Sequence, residues 1–414
     1  MKLYNFASAC RSAHPCLIRS TAVTALSIGC CFSGAASALA IPLDFVNITD
    51  MPLGPGSGTT PSINDNNDVA FRSGSDIYFY NRSDDSFLNI MTLPGAPASA
   101  WAPRLNAGGD ILMIDNATRD PWLYLADTQA FIDLATLPGY PGNTQANDLN
   151  AVFDLNDARQ VSFHSGDNNF GDVYLYEHAT GAFTRVTGQP GGAFSGRSNK
   201  INDLGQVAYG SVGITGAPVF VYDIASQITT NISSLPGGPG SGLGALSFSD
   251  SGGVAMFLNV GPVLYDASAA SFLNLASLPG YPAGNASVDY NGLSASGDYT
   301  FWHTEIYYFD TETQTFTQLT NVPGVTPAGG SLSSINNNGV AAFTAGFFGA
   351  EDIFLAIPPC PADINSDGVV NTADLGALIG AFGTTSSAAD INGDGIVDTA
   401  DLGLLIADFG QACP

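Results

Sequence analysis

Ile63-Asn64-Asp65-Asn66-Asn67-Asp68-Val69-Ala70-Phe71 places an aliphatic residue, five turn-forming residues and an apolar strand start in one line. Asn and Asp favour turns because their short side chains hydrogen-bond to nearby backbone. The phrase returns with variations beginning at Leu105, Leu155, Ile201, Phe248, Leu293 and Ile335, at intervals of 42, 50, 46, 47, 45 and 42 residues. A repeat of this length, dense in strand signals, has the period of a propeller blade.

Working outward from the phrase, each unit resolves into four short strands. Strand a ends at the Ile or Leu, the Asn-Asp-x-Gly cluster turns the chain, and Val-Ala-Phe or its equivalent begins strand b. Strand c alternates aromatic and aliphatic residues, as in Asp76 to Tyr80, Pro121 to Leu125 and Asp172 to Tyr176. Strand d is Phe-Leu-Asn-Ile or a variant, starting at Phe87, Phe131, Phe183, Ile228, Phe272 and Phe316, and a Pro-Gly turn leads onward. There are seven a-b-c triplets but only six d strands after them, because the last triplet ends at Ile357 and runs into Pro358-Pro359. The missing strand stands at the other end, as Phe45-Val46-Asn47-Ile48. The expected fold is therefore all-β over 41–357, a seven-bladed β-propeller closed by its N-terminal strand. Closure removes both open sheet edges, which otherwise invite aggregation.

Units such as Ile201-Asn202-Asp203-Leu204-Gly205-Gln206-Val207-Ala208-Tyr209 followed by Val219-Phe220-Val221-Tyr222-Asp223 resemble the blades of TolB-like propellers. The resemblance spans all seven units and lies in blade grammar, with Asn-Asp-x-Gly where that family has Ser-Pro-Asp-Gly. It implies a fold, not an active site.

The first 40 residues have the form of a bacterial-type Sec signal peptide. Lys2, Arg11 and Arg19 make a positive n-region, Ala22 to Phe32 an apolar segment, and Ala38-Leu39-Ala40 a small-x-small cleavage site. The apolar run is far short of the ~20 residues that span a bilayer, so no membrane span is expected. Cleavage would remove three basic residues and no acidic one, leaving 8 basic against 37 acidic residues. With no basic stripe, nucleic-acid binding lacks its electrostatic footprint, and cations are the natural partners. Four of the six cysteines also lie in the signal segment, and the two that remain, Cys360 and Cys413, bracket the tail. In an exported chain such a pair reads as a disulfide, worth roughly 3–4 kcal/mol in the chain-entropy model.

In the tail, 358–414, Asp363 to Asp374 is a twelve-residue loop that recurs 27 residues later as Asp390 to Asp401. Oxygen side chains stand at positions 1, 3, 5, 9 and 12: Asp363, Asn365, Asp367, Asn371 and Asp374, then Asp390, Asn392, Asp394, Asp398 and Asp401. The carbonyls of Val369 and Ile396 would fill position 7, and Gly at position 6 permits the sharp turn. This is EF-hand ligand spacing, built for calcium, with one ion per loop and two in all. The tail holds no Lys or Arg to neutralise these carboxylates. Leu375, Leu378, Ile379 and Phe382 recur at i, i+3, i+4 and i+7, as do Leu402, Leu405, Ile406 and Phe409, so each loop should run into one short amphipathic helix.

A calcium loop followed by a single helix, with Asp at position 12, resembles a type I dockerin. That resemblance implies a small α-helical calcium-binding module that attaches a secreted protein to a cohesin or another cell-surface partner. The family's recognition positions fall on Thr372 with Ala373 and on Thr399 with Ala400, and the basic helix residues of the family pattern are absent here.

The propeller shows no strong catalytic constellation. His164 and His303 follow b strands and His178 lies in a c–d turn, without metal-ligand spacing. Tyr140 and Tyr281 occupy equivalent Leu-Pro-Gly-Tyr-Pro loops, and with Trp101 and Trp302 they are candidates for stacking on sugars, or for blade packing. The sequence thus predicts a secreted or cell-surface calcium-binding protein, its propeller used for binding or scaffolding, with polysaccharide a candidate ligand. The alternative is an extracellular polysaccharide lyase or glycoside hydrolase with its active site on the propeller. Unlike polar residues converging in the channel would favour the enzyme.

Overall fold

The computed structural model describes residues 43–142, 153–166, 171–193, 195–211, 218–240, 245–258, 261–282, 292–325, 330, 332–347, 350–365, 367–386, 388–411 and 413. Residues 1–40, the expected signal peptide, lie outside them. Among the described residues seven antiparallel sheets follow one another along the chain, six of four strands and one of three. Each four-stranded sheet reads a-b-c-d from the inside outward, the first being Thr59–Ile63, Val69–Ser73, Asp76–Asn81 and Ser86–Asn89. In the sixth blade the described residues give three strands and, at the inner edge, a bridge between Leu293 and Tyr299; residues 283–291, just before it, lie outside the described residues.

The seventh blade closes as the strand count predicts. Asp44–Asn47 pairs antiparallel with Ala350–Ile357, in the register Asp44 with Ile357 through Asn47 with Phe354. Beyond the ladder, the Ile48 N–H donates to Ile353 O at 2.9 Å and Thr49 Oγ1 to Asp352 Oδ1 at 3.0 Å. The chain's first described strand is thus the outer strand of its last blade.

Strand b shows why these residues fold this way. Val69, Ala70 and Phe71 are all fully buried, as are Val207, Ala208 and Tyr209. A blade is covered on both faces by its neighbours, so its strands lose the one-face alternation of an exposed sheet. The buried aromatic at the third position stacks on its own blade and on the loop leading into it: Phe163 on Phe153, Tyr174 and the loop's Tyr140, and Phe301 on Tyr299, Tyr307 and the loop's Tyr281. Burying each such ring contributes about 1.5–3 kcal/mol.

The repeated Asn does more than make a turn. In the first blade Asn64 Oδ1 accepts the N–H of Asn66 and Asp68, closing the a–b turn. Its amide then donates to Asn106 O in the next blade at 3.1 Å. Asn106 donates likewise to Asn156 O, Asn156 to Asn202 O, Asn202 to Ser249 O, and Asn336 across the closure to Asn64 O. Ser249 and Ser294 hold the same place in blades five and six; they close their own turns, and for neither is such a bond to the next blade seen among the described residues.

The tail carries helices α1 (Thr372–Ala381) and α2 (Thr399–Ala407) around a core of its own: Ala362, Val370, Leu378, Ala389, Val397 and Leu405. The two halves interlock. Val370 exchanges backbone hydrogen bonds with Gly410 and Gln411 after α2, and Val397 with Gly383 and Thr384 after α1. Cys360 and Cys413 are joined by a disulfide with their Cα atoms 5.8 Å apart.

Candidate metal centre and the central channel

In the first tail loop Asp363, Asp367 and Asp374 bring carboxylate oxygens within 4.8 Å of one another. Local hydrogen bonds hold them there. The N–H groups of Asp367 and Gly368 donate to the two oxygens of Asp363 at 3.0 and 2.8 Å. The Val369 N–H donates to Asp367 Oδ1 at 3.1 Å. Asp374 is fully buried and accepts from the N–H of Asn365 and of Asn371. Asn371 at position 9 is also the N-cap of α1, and Asp374 at position 12 its third residue, so the two form a capping box. The proposed ion ligands and the helix start are the same residues.

The second loop repeats this bonding. Asp394 and Gly395 donate to Asp390, Ile396 to Asp394, and Asn392 and Asp398 to the buried Asp401. These backbone donors, that of Asp398 first, hold the Asp401 carboxyl below its ordinary value, while side-chain donation from Asn365 and then Asn371 lowers Asp367. Both loops thus present ionised oxygens with no cationic side chain in the tail. The donor set fits a hard divalent ion that takes 6–8 oxygens. Residues 361–409 match the dockerin type I domain.

The tail is a dockerin type I domain. Only half of each predicted helix face enters its core. Leu378 and Leu405 are fully buried and Leu375 and Leu402 pack beside them, but Ile379 and Phe382 are 59% and 47% exposed, and Ile406 and Phe409 59% and 42%. The dockerin is too small for two short helices to cover four apolar positions apiece. An exposed apolar pair remains on each half, and Thr372, Ala373, Thr399 and Ala400 at the helix starts are exposed as well.

No curated protein matches the chain. Among solved structures, a streptogramin B lyase aligns with TM-score 0.50 and 11% identity, over 76% of this chain and 97% of that one. The extracellular domain of a hybrid two-component system from B. thetaiotaomicron aligns with TM-score 0.50 and 12% identity, over 77% of this chain and 40% of that one. At such identities the likeness speaks to the propeller fold alone.

The propeller's own candidates are placed differently from what their residue types suggest. Tyr140 and Tyr281 pack inward on Phe163 and Phe301, Trp101 is 2% exposed, and Trp302 lies against the core of blade seven. These rings take part in blade packing, with Tyr140, Tyr281 and Trp302 half-buried. His164 and His303 are buried, His178 half-buried. His303 lies edge-on to Tyr281 of its own blade.

The channel holds what sequence reasoning missed. A cavity of about 180 Å³ is lined by the inner strands and their turns. Two residues before each blade's turn, the ring carries Arg104, Asp154 and Lys200 in blades two to four and Ser62, Ser247, Gly292 and Ser334 in the others. Arg104 Nε and Lys200 Nζ lie 3.8 and 3.9 Å from Asp154 Oδ1. Burial pulls the Lys200 ammonium down to about 8, with Asp154 opposing and Arg104 adding to the fall. Around the turns stand Asp65, Asp157, Asp203 and Asp250. Enclosure, then the carboxylates of Asp250 and Asp157, push Asp203 up to about 7. A β-bulge precedes Ser62, Arg104 and Lys200, with Thr60, Ala102 and Ser198 at φ of 52°, 50° and 53°. Bulges re-aim side chains. Nothing in a strand's composition announces one.

Proposed function

We propose that this is an exported protein in which the dockerin takes up two calcium ions and attaches the chain to a cohesin-type or cell-surface partner, leaving the propeller as the binding head. The observation that carries this reading is the pair of matched loops, each ending in an exposed apolar patch: Ile379 with Phe382, and Ile406 with Phe409. Seven of the ten large apolar side chains exposed among the described residues lie in the dockerin, where a partner can cover them. The ligands would be Asp363, Asn365, Asp367, Val369 O, Asn371 and Asp374, and Asp390, Asn392, Asp394, Ile396 O, Asp398 and Asp401.

Calorimetry of the full chain tests it. Calcium should bind with two equivalents, and chelation should lower one melting transition, that of the dockerin, while the propeller transition stays in place. A cohesin panel should then show calcium-dependent capture that is lost in the Ile379→Asp, Ile406→Asp double variant. No calcium uptake, or capture indifferent to chelation, would sink the proposal.

One observation favours a second reading, a polysaccharide-degrading enzyme: the channel gathers unlike charged side chains where equivalent blades would place equivalent ones. A depolymerisation screen separates the two, since activity lost in a single channel variant belongs to an enzyme alone.

A further inference from the structure

We propose that the seam between blades five and six binds a neutral sugar of one or two rings. This rests on the reading of the propeller as a binding head and names where the head binds and what it takes.

The repeat shows how a seam is normally filled. Counting from the Ile or Leu that opens the repeated phrase, the sixth residue is Asp68, Asp110, Gln160, Gln206, Gly253, Asp298 or Val340 in blades one to seven. Its side chain reaches the fifth residue of the next blade. Asp110 Oδ2 accepts from Arg159 Nε at 2.7 Å. Gln160 Oε1 would lie 3.9 Å from a Cβ placed at Gly205, Gln206 Oε1 3.5 Å from one at Gly252, and Asp298 Oδ2 3.8 Å from one at Gly339. Blade five has Gly253 at this place, so it sends nothing toward Gly297. The three atoms nearest a Cβ at Gly297 all belong to Thr311 of its own blade.

A second break in the repeat falls at the same seam. Asn156 and Asn202 bond the Gln side chains of their own turns, at 2.9 and 3.2 Å, and donate onward to the next blade. Blade five has Ser249 instead, whose hydroxyl turns back to accept the Gly253 N–H at 2.9 Å. Both side chains that would close the seam are therefore missing together, and a cavity of about 390 Å³ opens there, with Ser249, Gly253 and Gly297 in its wall. Protein interiors are close-packed, and space left unfilled forfeits contacts. Small-molecule sites begin at about 300 Å³.

The lining selects the ligand. Among the described residues that line the cavity there is no Lys, Arg or His, so an anion finds no counter-charge. Asp266 is the one carboxylate, and it is already occupied by the Ser268 hydroxyl and the N–H groups of Ser268 and Ala269. What remains is hydroxyl and hydrocarbon. Ser251, Ser271 and Ser296 are exposed at the rim, and each hydroxyl can both donate and accept. Leu264, Leu293 and the half-buried ring of Tyr265 supply apolar wall. A neutral sugar has the matching surface, with hydroxyls around its edge and C–H groups on its faces.

Saturation-transfer NMR on the full chain, with maltose, cellobiose, glucuronate and glucosamine, is the test. A neutral disaccharide should take up saturation, and the two charged sugars should bind at least tenfold more weakly. The Ser249→Asn, Gly253→Gln double variant restores the pair that blades three and four carry. It should melt no lower than the parent and bind the disaccharide at least tenfold more weakly. Ser271→Gln, a change at an exposed rim position, should weaken binding without touching the core. Undiminished binding in both variants overturns the site, and charged sugars binding as well as neutral ones overturns the ligand class. No binding of any of the four overturns the proposal alone; the binding-head reading falls with it only if insoluble and soluble polysaccharides also fail to retain the chain.

Discussion

Single residues here carry two duties at once. Asp374 and Asp401 are proposed ion ligands and also complete the capping boxes of α1 and α2. That double role was half legible in the sequence: the spacing gives the ligands, but only the folded loop shows their backbone donors. Lys200 was not legible. A lysine two residues before a turn looks solvent-exposed, and only ring closure turns it inward. Its lowered pKa has a sign that can be checked. Below pH 8 folded and unfolded chains both hold the proton, and the cost of enclosing the charge is borne in full. The folded chain releases the proton first, near 8 against 10.5 for a free amine, so Lys200 makes stability rise with pH between those values. Thermal melts at pH 7 and pH 10 should therefore show a larger gain from Lys200→Met at pH 7 than at pH 10; an equal gain would refute the shift.

Elements were read more fully than residues. The four-strand grammar, its period and the transfer of Phe45-Val46-Asn47 to the last blade all follow from counting apolar runs between turn residues. Two features escaped. The short 3-10 turns after strand d, such as Ile90–Thr92 capped by Asn89, look like plain loop. On the dockerin helices the apolar period is real, but the core is too thin to bury all of it. The closing strand offers the sharpest test. Val46→Pro removes a ladder donor opposite Leu355 and should cost about 3 kcal/mol, read from the midpoint of denaturant unfolding. A loss near zero would mean that the ring does not depend on this strand.

At the scale of the whole molecule, the ring is held by a belt as well as by its blades. Asn amides at the a–b turns join five successive pairs of blades, counting the closure, and backbone N–H groups of Ala107, Asp157 and Asp203 donate to the Asp one blade on. The repeat of Asn was visible in the sequence, yet turn chemistry alone explains it there, so the belt was hidden behind a sufficient local reason. Asn156→Ala should cost about 1–3 kcal/mol, because it orphans the Gln160 N–H and removes the cross-blade donor from the Asn202 carbonyl at once. Ser294→Ala, at a position with no such bond to the next blade, should cost less; equal losses would show that the belt adds nothing.

The closing ladder also bears on anchorage. Ile357 is the last residue of its strand and is followed by two prolines and the dockerin, so a chain moored by its tail takes any drag from flow at that point. The strand that receives the load is clasped on both sides, by Asp44–Asn47 and by Ala341–Phe347. Tension along it must shear two ladders together; it cannot unzip one from a free margin.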